Sequence, residues 1–154
     1  MTGTVQAIAR RAASRAPMEL LDAVAVSAEA GLDGDYRGRG RRRQVTLMSA
    51  EDWQAACAEL GAELDWTLRR ANLLVTGVAL PREAGAEVRV GGVTLAVTGE
   101  TEPCARMDEQ HAGLRAALTP DWRGGITCRV VEGGAIKVGD GVRVHGLHKK
   151  PPPP

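Results

Sequence analysis

The chain has 154 residues, with 20 Lys and Arg against 19 Asp and Glu, no Phe, one Tyr and three Trp; that length suits one domain with one core. A formal net charge of +1 gives no overall field to draw it onto nucleic acid or an anionic membrane, so neither is expected as a partner. No apolar run reaches the roughly 18 residues of a membrane span, no secretory hydrophobic stretch opens the chain, and three cysteines without paired spacing argue for free thiols in a reducing cytoplasm.

Val5 and Ala7 alternate with polar neighbours from Thr4 to Ile8 and predict a first strand. The acid-free, Arg-, Ala- and Ser-rich stretch before Glu19 also has transit-peptide composition, but a strand accounts for it better. After Ala16-Pro17, the apolar run Leu20 to Val26 predicts a second strand, and Gly31-Leu32-Asp33-Gly34-Asp35 then supplies turn chemistry. Gln44 to Met48 predicts a short strand. Ser49 follows as an N-cap with Asp52 three residues on, and Trp53, Ala56, Cys57 and Leu60 form one stripe of a helix ending at Gly61.

Leu73 to Val75 predicts another strand. Gly91-Gly92 as a two-residue loop then sets Val90 opposite Val93, Val88 opposite Leu95 and Ala86 opposite Val97, all on one side of a hairpin. Ala112 to Leu118 predicts a short helix closed by Thr119-Pro120, and Ile126, Cys128 and Val130 the inner face of a strand. Ile136 and Val138, separated by Gly139-Asp140-Gly141 from Val142 and Val144, predict a last hairpin. The expected fold is mostly β, a small barrel or sandwich with two short helices. A domain over 1–146 is followed by a Pro-rich extended tail, 147–154.

Cys57 and Cys128 fall in apolar stripes and read as core. Cys104 has no apolar neighbours at sheet or helix spacing; it follows Glu102-Pro103 just past a strand, with Arg106 and His111 close enough in sequence to favour a thiolate. A small half-buried loop cysteine is the plainer reading of that position, and a reactive or metal-binding thiol the sharper one. The run Arg37, Arg39, Arg41, Arg42, Arg43, interleaved with Gly38 and Gly40, suits a small anion as well as it suits a solvated loop. Without Cys-x-x-Cys or aromatics in the run, zinc and RNA are poorly supported, and His111, only seven residues from Cys104, makes a poor hydrolase partner.

Four segments, Gly31-Leu32-Asp33-Gly34-Asp35, Arg70-Ala71-Asn72-Leu73-Leu74-Val75-Thr76-Gly77, Glu102-Pro103-Cys104 and Ile136-Lys137-Val138-Gly139-Asp140-Gly141-Val142, come in an order that resembles the MOSC domain, the molybdenum cofactor sulfurase C-terminal domain. The resemblance covers nearly the whole chain and implies a twisted β-barrel-like domain with one central cysteine, here Cys104. It implies that this cysteine carries sulfur as a persulfide or ligates molybdenum in the molybdenum cofactor (molybdopterin). It also implies that Arg70 and Asn72, which match the Arg-x-Asn motif, face the pterin phosphate. The structural alternative is that Asn72 ties a strand to a loop while Arg70 stays solvated.

On this reading Arg43 adds a further anion contact and Arg106 stabilises the charge at the thiol. A pyridoxal-phosphate-dependent cysteine desulfurase, with pyridoxal phosphate on that partner, or a molybdenum cofactor enzyme is the expected partner. A non-catalytic cofactor carrier and a small reductase of N-hydroxylated compounds are the rival functions. Two departures matter: Tyr36-Arg37 stands where many relatives have a histidine, and no additional enclosing domain is evident. A homodimer or another protein would have to supply the second wall around a pterin.

Overall fold

A computed structural model describes residues 2–40 and 42–145. The elements run β1 (Thr2–Arg10), β2 (Glu19–Leu21), β3 (Ala23–Ser27), β4 (Gly31–Leu32), β5 (Val45–Ser49), α1 (Ala50–Leu60), a 3-10 turn (Trp66–Arg69), β6 (Leu73–Thr76) and β7 (Glu87–Val90). They continue with β8 (Val93–Glu100), α2 (Ala105–Gln110), α3 (Leu114–Leu118), a 3-10 turn (Pro120–Trp122), β9 (Ile126–Glu132), β10 (Gly134–Lys137) and β11 (Gly141–His145). The expected tail, 147–154, lies outside the described residues. No described helix is long and apolar enough to cross a membrane.

Seven strands close into a barrel, in the order β11-β7-β8-β9-β5-β6-β1, because β1 also pairs with β11. A small second sheet, β10-β3-β4, adds Val24, Val26, Leu32 and Ile136 to the barrel core. With no Phe available, that core is built from β-branched and Leu side chains that alternate along each strand.

The β5–β6 pair is parallel, and α1 is part of its crossover. Leu47, Leu73 and Val75 face the barrel core, whereas Met48 and Leu74 face a second cluster with Trp53, Ala56, Met107, Leu114 and Leu118 of the helices. Burial on both faces explains why these two strands are near-continuous apolar runs. Ser49 caps α1 by accepting from the Asp52 N–H at 3.2 Å, and Gly61 ends the helix with φ +62°. The Gly91-Gly92 hairpin has the expected register, with Val90 opposite Val93 and Val88 opposite Leu95.

Four expectations are corrected. The run Leu20 to Val26 is two strands: β2 pairs with β1 and β3 with β10, the change of sheet falling at exposed Asp22. A third short helix, α2, follows Cys104, where Met107 is the one buried side chain and leaves little periodicity to read. The helix predicted from Ala112 starts at Leu114, after Gly113 at φ +88°. Residues 134–145 form no hairpin, because the intervening main chain bonds to β1 instead: Gly139 donates to the Val5 carbonyl and Val5 to that of Asp140, both at 2.9 Å. Thus β10 pairs with β3, and β11 with β7 and β1.

Candidate functional site

The three cysteines separate by environment. Cys128 faces the barrel core with no exposed surface, and burial pushes its thiol up, away from ionisation. Cys57 is 9% exposed in the α1 stripe. Cys104 is exposed, four residues beyond the end of β8, and takes the N-cap position of α2 without a side-chain cap bond. Its sulfur is therefore committed neither to packing nor to the helix.

The segment that carries Cys104 is anchored by a residue not foreseen from the sequence, Arg69. Its Nε donates to the Gly124 carbonyl at 3.1 Å and its Nη2 to the Thr101 carbonyl. The approach is close enough that a Cβ on Gly124 would lie 2.5 Å from the Thr101 oxygen and 3.1 Å from Nη2. Burial pushes the Arg69 guanidinium below its ordinary value; the Cys104 thiolate and then Glu100 oppose that shift, and Arg37 adds to it. Arg69 thus clamps the chain three residues before the thiol.

Four more arginines, Arg70 next in the chain and Arg11, Arg37 and Arg106 from separate stretches of it, lie within electrostatic reach of one another. Arg70 follows the 3-10 turn with φ +62°, a conformation that costs a non-glycine residue energy and recurs where side chains serve function. Its Nη2 donates to the Ala16 carbonyl, and its buried Nε has no hydrogen-bond partner. Arg11 is buried, and its guanidinium lies 5.7 Å from the centre of the Tyr36 ring. Arg106 stands exposed on the first turn of α2, and Arg37 is exposed on its loop.

Burial, then Arg106 and Arg37, push the Arg70 guanidinium down. Burial, then Arg70 and Arg37, do the same to Arg11, with Asp35 opposing and Arg106 adding. Among the described residues no ion pair involves Arg11, Arg37, Arg69, Arg70 or Arg106. Mutual repulsion without paired carboxylates is relieved by an anion, and the partnerless Nε supplies a donor for one.

Of the residues singled out from the sequence, Cys104, Arg70 and Arg106 therefore share one region, joined by Arg37 of the arginine run. Arg43 is exposed and is not among the charges acting on Arg11, Arg69 or Arg70, while Arg41 lies outside the described residues. Buried Asn72 is held within the fold. Its Oδ1 accepts from the Thr46 N–H at 3.0 Å and hydroxyl at 3.2 Å, and its Nδ2 donates to the Ala9 carbonyl at 3.2 Å. It ties β5 and β1 to the start of β6, just after Arg70. His111 caps the opposite end of α2 from Cys104, its Nδ1 3.0 Å from the Ala112 carbonyl.

Gln44 holds the arginine loop in place from just before β5: its Nε2 donates to the carbonyls of Ala28 and Gly38, and its Oε1 accepts from the Val130 N–H. Arg11 and Arg69 carried no sequence signal, since isolated arginines are normally solvated; Arg37 was visible only as part of a basic run. Two clefts, of about 300 and 410 Å³, share no lining residue with the arginine–thiol group.

Native alkylation is expected to modify Cys104 first, Cys57 later and Cys128 only on unfolding, as mass mapping of the first adduct would register. Early modification of Cys57, which borders the larger cleft, would remove the distinction drawn here.

Residues 34–143 match the sequence pattern of the MOSC domain. Among solved structures, the YuaD protein of Bacillus subtilis superposes with a TM-score of 0.76 at 21% identity, covering 94% of this chain and 96% of that one. YiiM of Escherichia coli gives 0.70 at 15% identity, covering 92% and 69%, and YiiM of Geobacillus stearothermophilus 0.71 at 14%, covering 93% and 75%. At these identities the likeness speaks to fold alone. No curated protein matches the sequence.

Proposed function

Since this chain belongs to the MOSC domain family, a family linked to the molybdenum cofactor, we propose that it is a sulfur carrier that holds a persulfide on Cys104 within an arginine-lined site. The observation that carries the reading is that Cys104 alone of the three cysteines is exposed, with its sulfur free of any cap bond and the guanidinium of Arg69 held against its segment. A cysteine desulfurase bearing pyridoxal phosphate would load it: the Cys104 thiolate takes the terminal sulfur of the partner's persulfide, and the partner's thiolate leaves. A nucleophilic acceptor then attacks the outer sulfur and restores the thiolate. The arginines stabilise the anionic persulfide between the two steps.

The second reading, molybdenum cofactor binding, is favoured by the partnerless buried Nε of Arg70. These residues fit the group's chemistry, an anionic phosphate on arginines and a soft thiolate ligand for the metal. Arg70, Arg106 and Arg37 would take the phosphate, with Asn72 fixing the strand behind Arg70, and Cys104 would ligate molybdenum. When bound, the cofactor would supply two-electron redox chemistry, as a small reductase of N-hydroxylated compounds needs; a carrier would only pass it on. The open site suits transfer to a partner better than enclosed catalysis.

Incubation with a cysteine desulfurase and cysteine is expected to add the mass of one sulfur atom to Cys104, and cyanide to remove it. Molybdenum analysis of the purified protein separates the two readings. Metal retained with Cys104 and no sulfur uptake would replace the first reading by the second.

A further inference from the structure

One end of the barrel holds a cleft of about 300 Å³ that the cysteine chemistry does not use. The ends of β5 and β6 meet the start of α1 there: Glu51, on the first turn of α1, accepts from the Thr76 hydroxyl at 2.8 Å and from the Gly77 N–H at 3.0 Å. Buried Val78 and half-buried Leu80 and Trp122 give the cleft apolar walls. Three carboxylates, Glu51, Asp52 and Asp121, line it against one cation, Arg82, which lies 3.7 Å from Asp121. Asp52 is half-buried and, like Glu51, belongs to no ion pair among the described residues. Burial pushes its carboxyl above the ordinary value; Arg82 and Arg123 oppose that shift, and Glu51 and Asp121 add to it. Apolar walls beside carboxylates without a cation suit an occupant that is cationic in one part and apolar in the next.

We propose that this cleft holds the chain's own segment 146–154, with Lys149 and Lys150 on the carboxylates and the prolines from Pro151 onward against Trp122 and Leu80. The strand pairings put the departure point of that segment beside the cleft. Thr2 pairs with Arg143, and Thr4 with both Gly141 of β11 and Thr76 of β6, so β11 leaves the barrel at the end where β6 finishes. Only β1 separates the two, a lateral distance of about 10 Å at about 4.8 Å per strand. Nine residues follow His145, and extended they span up to about 30 Å. Charge and shape then agree in order along the segment, two lysines followed by four prolines. Consecutive prolines favour the polyproline II helix, which loses little backbone freedom on docking and packs on aromatic-lined grooves. The other cleft, of about 410 Å³, runs along α1 to the loop that leads back to the start of β6, away from this end, and Glu63 is the one carboxylate lining it.

The full chain has three lysines, Lys137, Lys149 and Lys150, so carbodiimide coupling of lysine to carboxylate, followed by peptide mass mapping, reads the contact directly. Links from Lys149 or Lys150 to Glu51, Asp52 or Asp121 are expected, and in a mixture of unlabelled and 15N-labelled protein they should join peptides of the same isotope. Their yield should fall several-fold at an ionic strength of about 1 M, where the screening length is about 3 Å. The indole N–H resonance of Trp122 should shift in the double variant Lys149→Glu/Lys150→Glu, which leaves residues 2–145 unaltered. Links spread evenly over exposed carboxylates elsewhere, such as Glu29, Glu63 and Glu132, or no links together with an unmoved Trp122 resonance, would overturn the inference. Links to the cleft found only between differently labelled chains would overturn its intramolecular form and give the cleft to a second copy's segment. Links within one chain beside an unmoved resonance would overturn the placement of the prolines.

Discussion

Cys104→Ser is expected to abolish sulfur uptake, or molybdenum retention, while the melting temperature stays at or above that of wild type. The sulfur is exposed and makes no cap bond to α2, so its removal empties no cavity. Serine is a favoured N-cap, and its hydroxyl can accept the cap bond that the thiol leaves unmade, worth up to about 1 kcal/mol. Cys128→Ser is the opposite case. It puts a hydroxyl on the fully buried inner face of β9 at a cost of roughly 1–3 kcal/mol, while the variant's remaining folded protein still accepts sulfur. Sulfur loading and thermal unfolding of the two variants, measured together, check both halves. A Cys104→Ser protein that unfolds beside a harmless Cys128→Ser would reverse the assignment of the cysteines.

Gly125→Ala is expected to have a large effect on stability. Gly125 has φ +100°, and a Cβ there would lie 2.2 Å from the Leu47 carbonyl oxygen and 3.4 Å from the Met48 Cα. Those atoms are backbone of β5, bonded on both sides to β6 and β9, so they cannot give way as a side chain would. Backbone strain of about 1–3 kcal/mol and overpacking of about 1–3 kcal/mol together amount to about 4 kcal/mol. That is roughly 10 °C in the melting temperature for a chain of this size. The site should weaken too, because the Thr101 N–H donates to the Gly125 carbonyl at 2.9 Å and Thr101 accepts from Arg69. Gly61→Ala is the control: φ is +62° with nothing within 4 Å of the added Cβ, so it should cost only about 1 kcal/mol. Equal melting of the two variants would show that the contact with β5 is not what matters.

What could be read from the sequence was what local chemistry decides. Ser49 and Gly61 bracket α1 because caps act within a few residues, and the diglycine fixes the register of β7 and β8 through the turn it permits. Cys57 and Cys128 were recognisable from their stripes for the same reason. The missed features belong to partners distant in sequence. Nothing near Asp22 reveals that one apolar run will serve two sheets, and the 134–145 region imitates a hairpin although its main chain is bonded to β1. The candidate site was half legible: Cys104, Arg70 and Arg106 stood in recognisable motifs, whereas Arg11 and Arg69 matter only because folding brings residues 11, 37, 69, 70 and 106 together. Buried arginine has no sequence pattern, since its seat is made of carbonyls such as those of Thr101 and Gly124.

The pairing of β1 with β11, in which Thr2 faces Arg143 and Thr4 faces Gly141, sets a timetable for synthesis. A ribosome makes β1 first and β11 more than a hundred residues later, at about 5–20 residues per second. Until β11 emerges, β7 and the Thr2–Thr4 half of β1, whose other half pairs with β2, present unbonded edges, and the ring of seven strands stands open to pairing with other nascent chains. Loss of β11 would therefore remove the closing member of the ring and make that exposure permanent, so a message ending before codon 141 should yield aggregate or degraded chain in place of a smaller folded product.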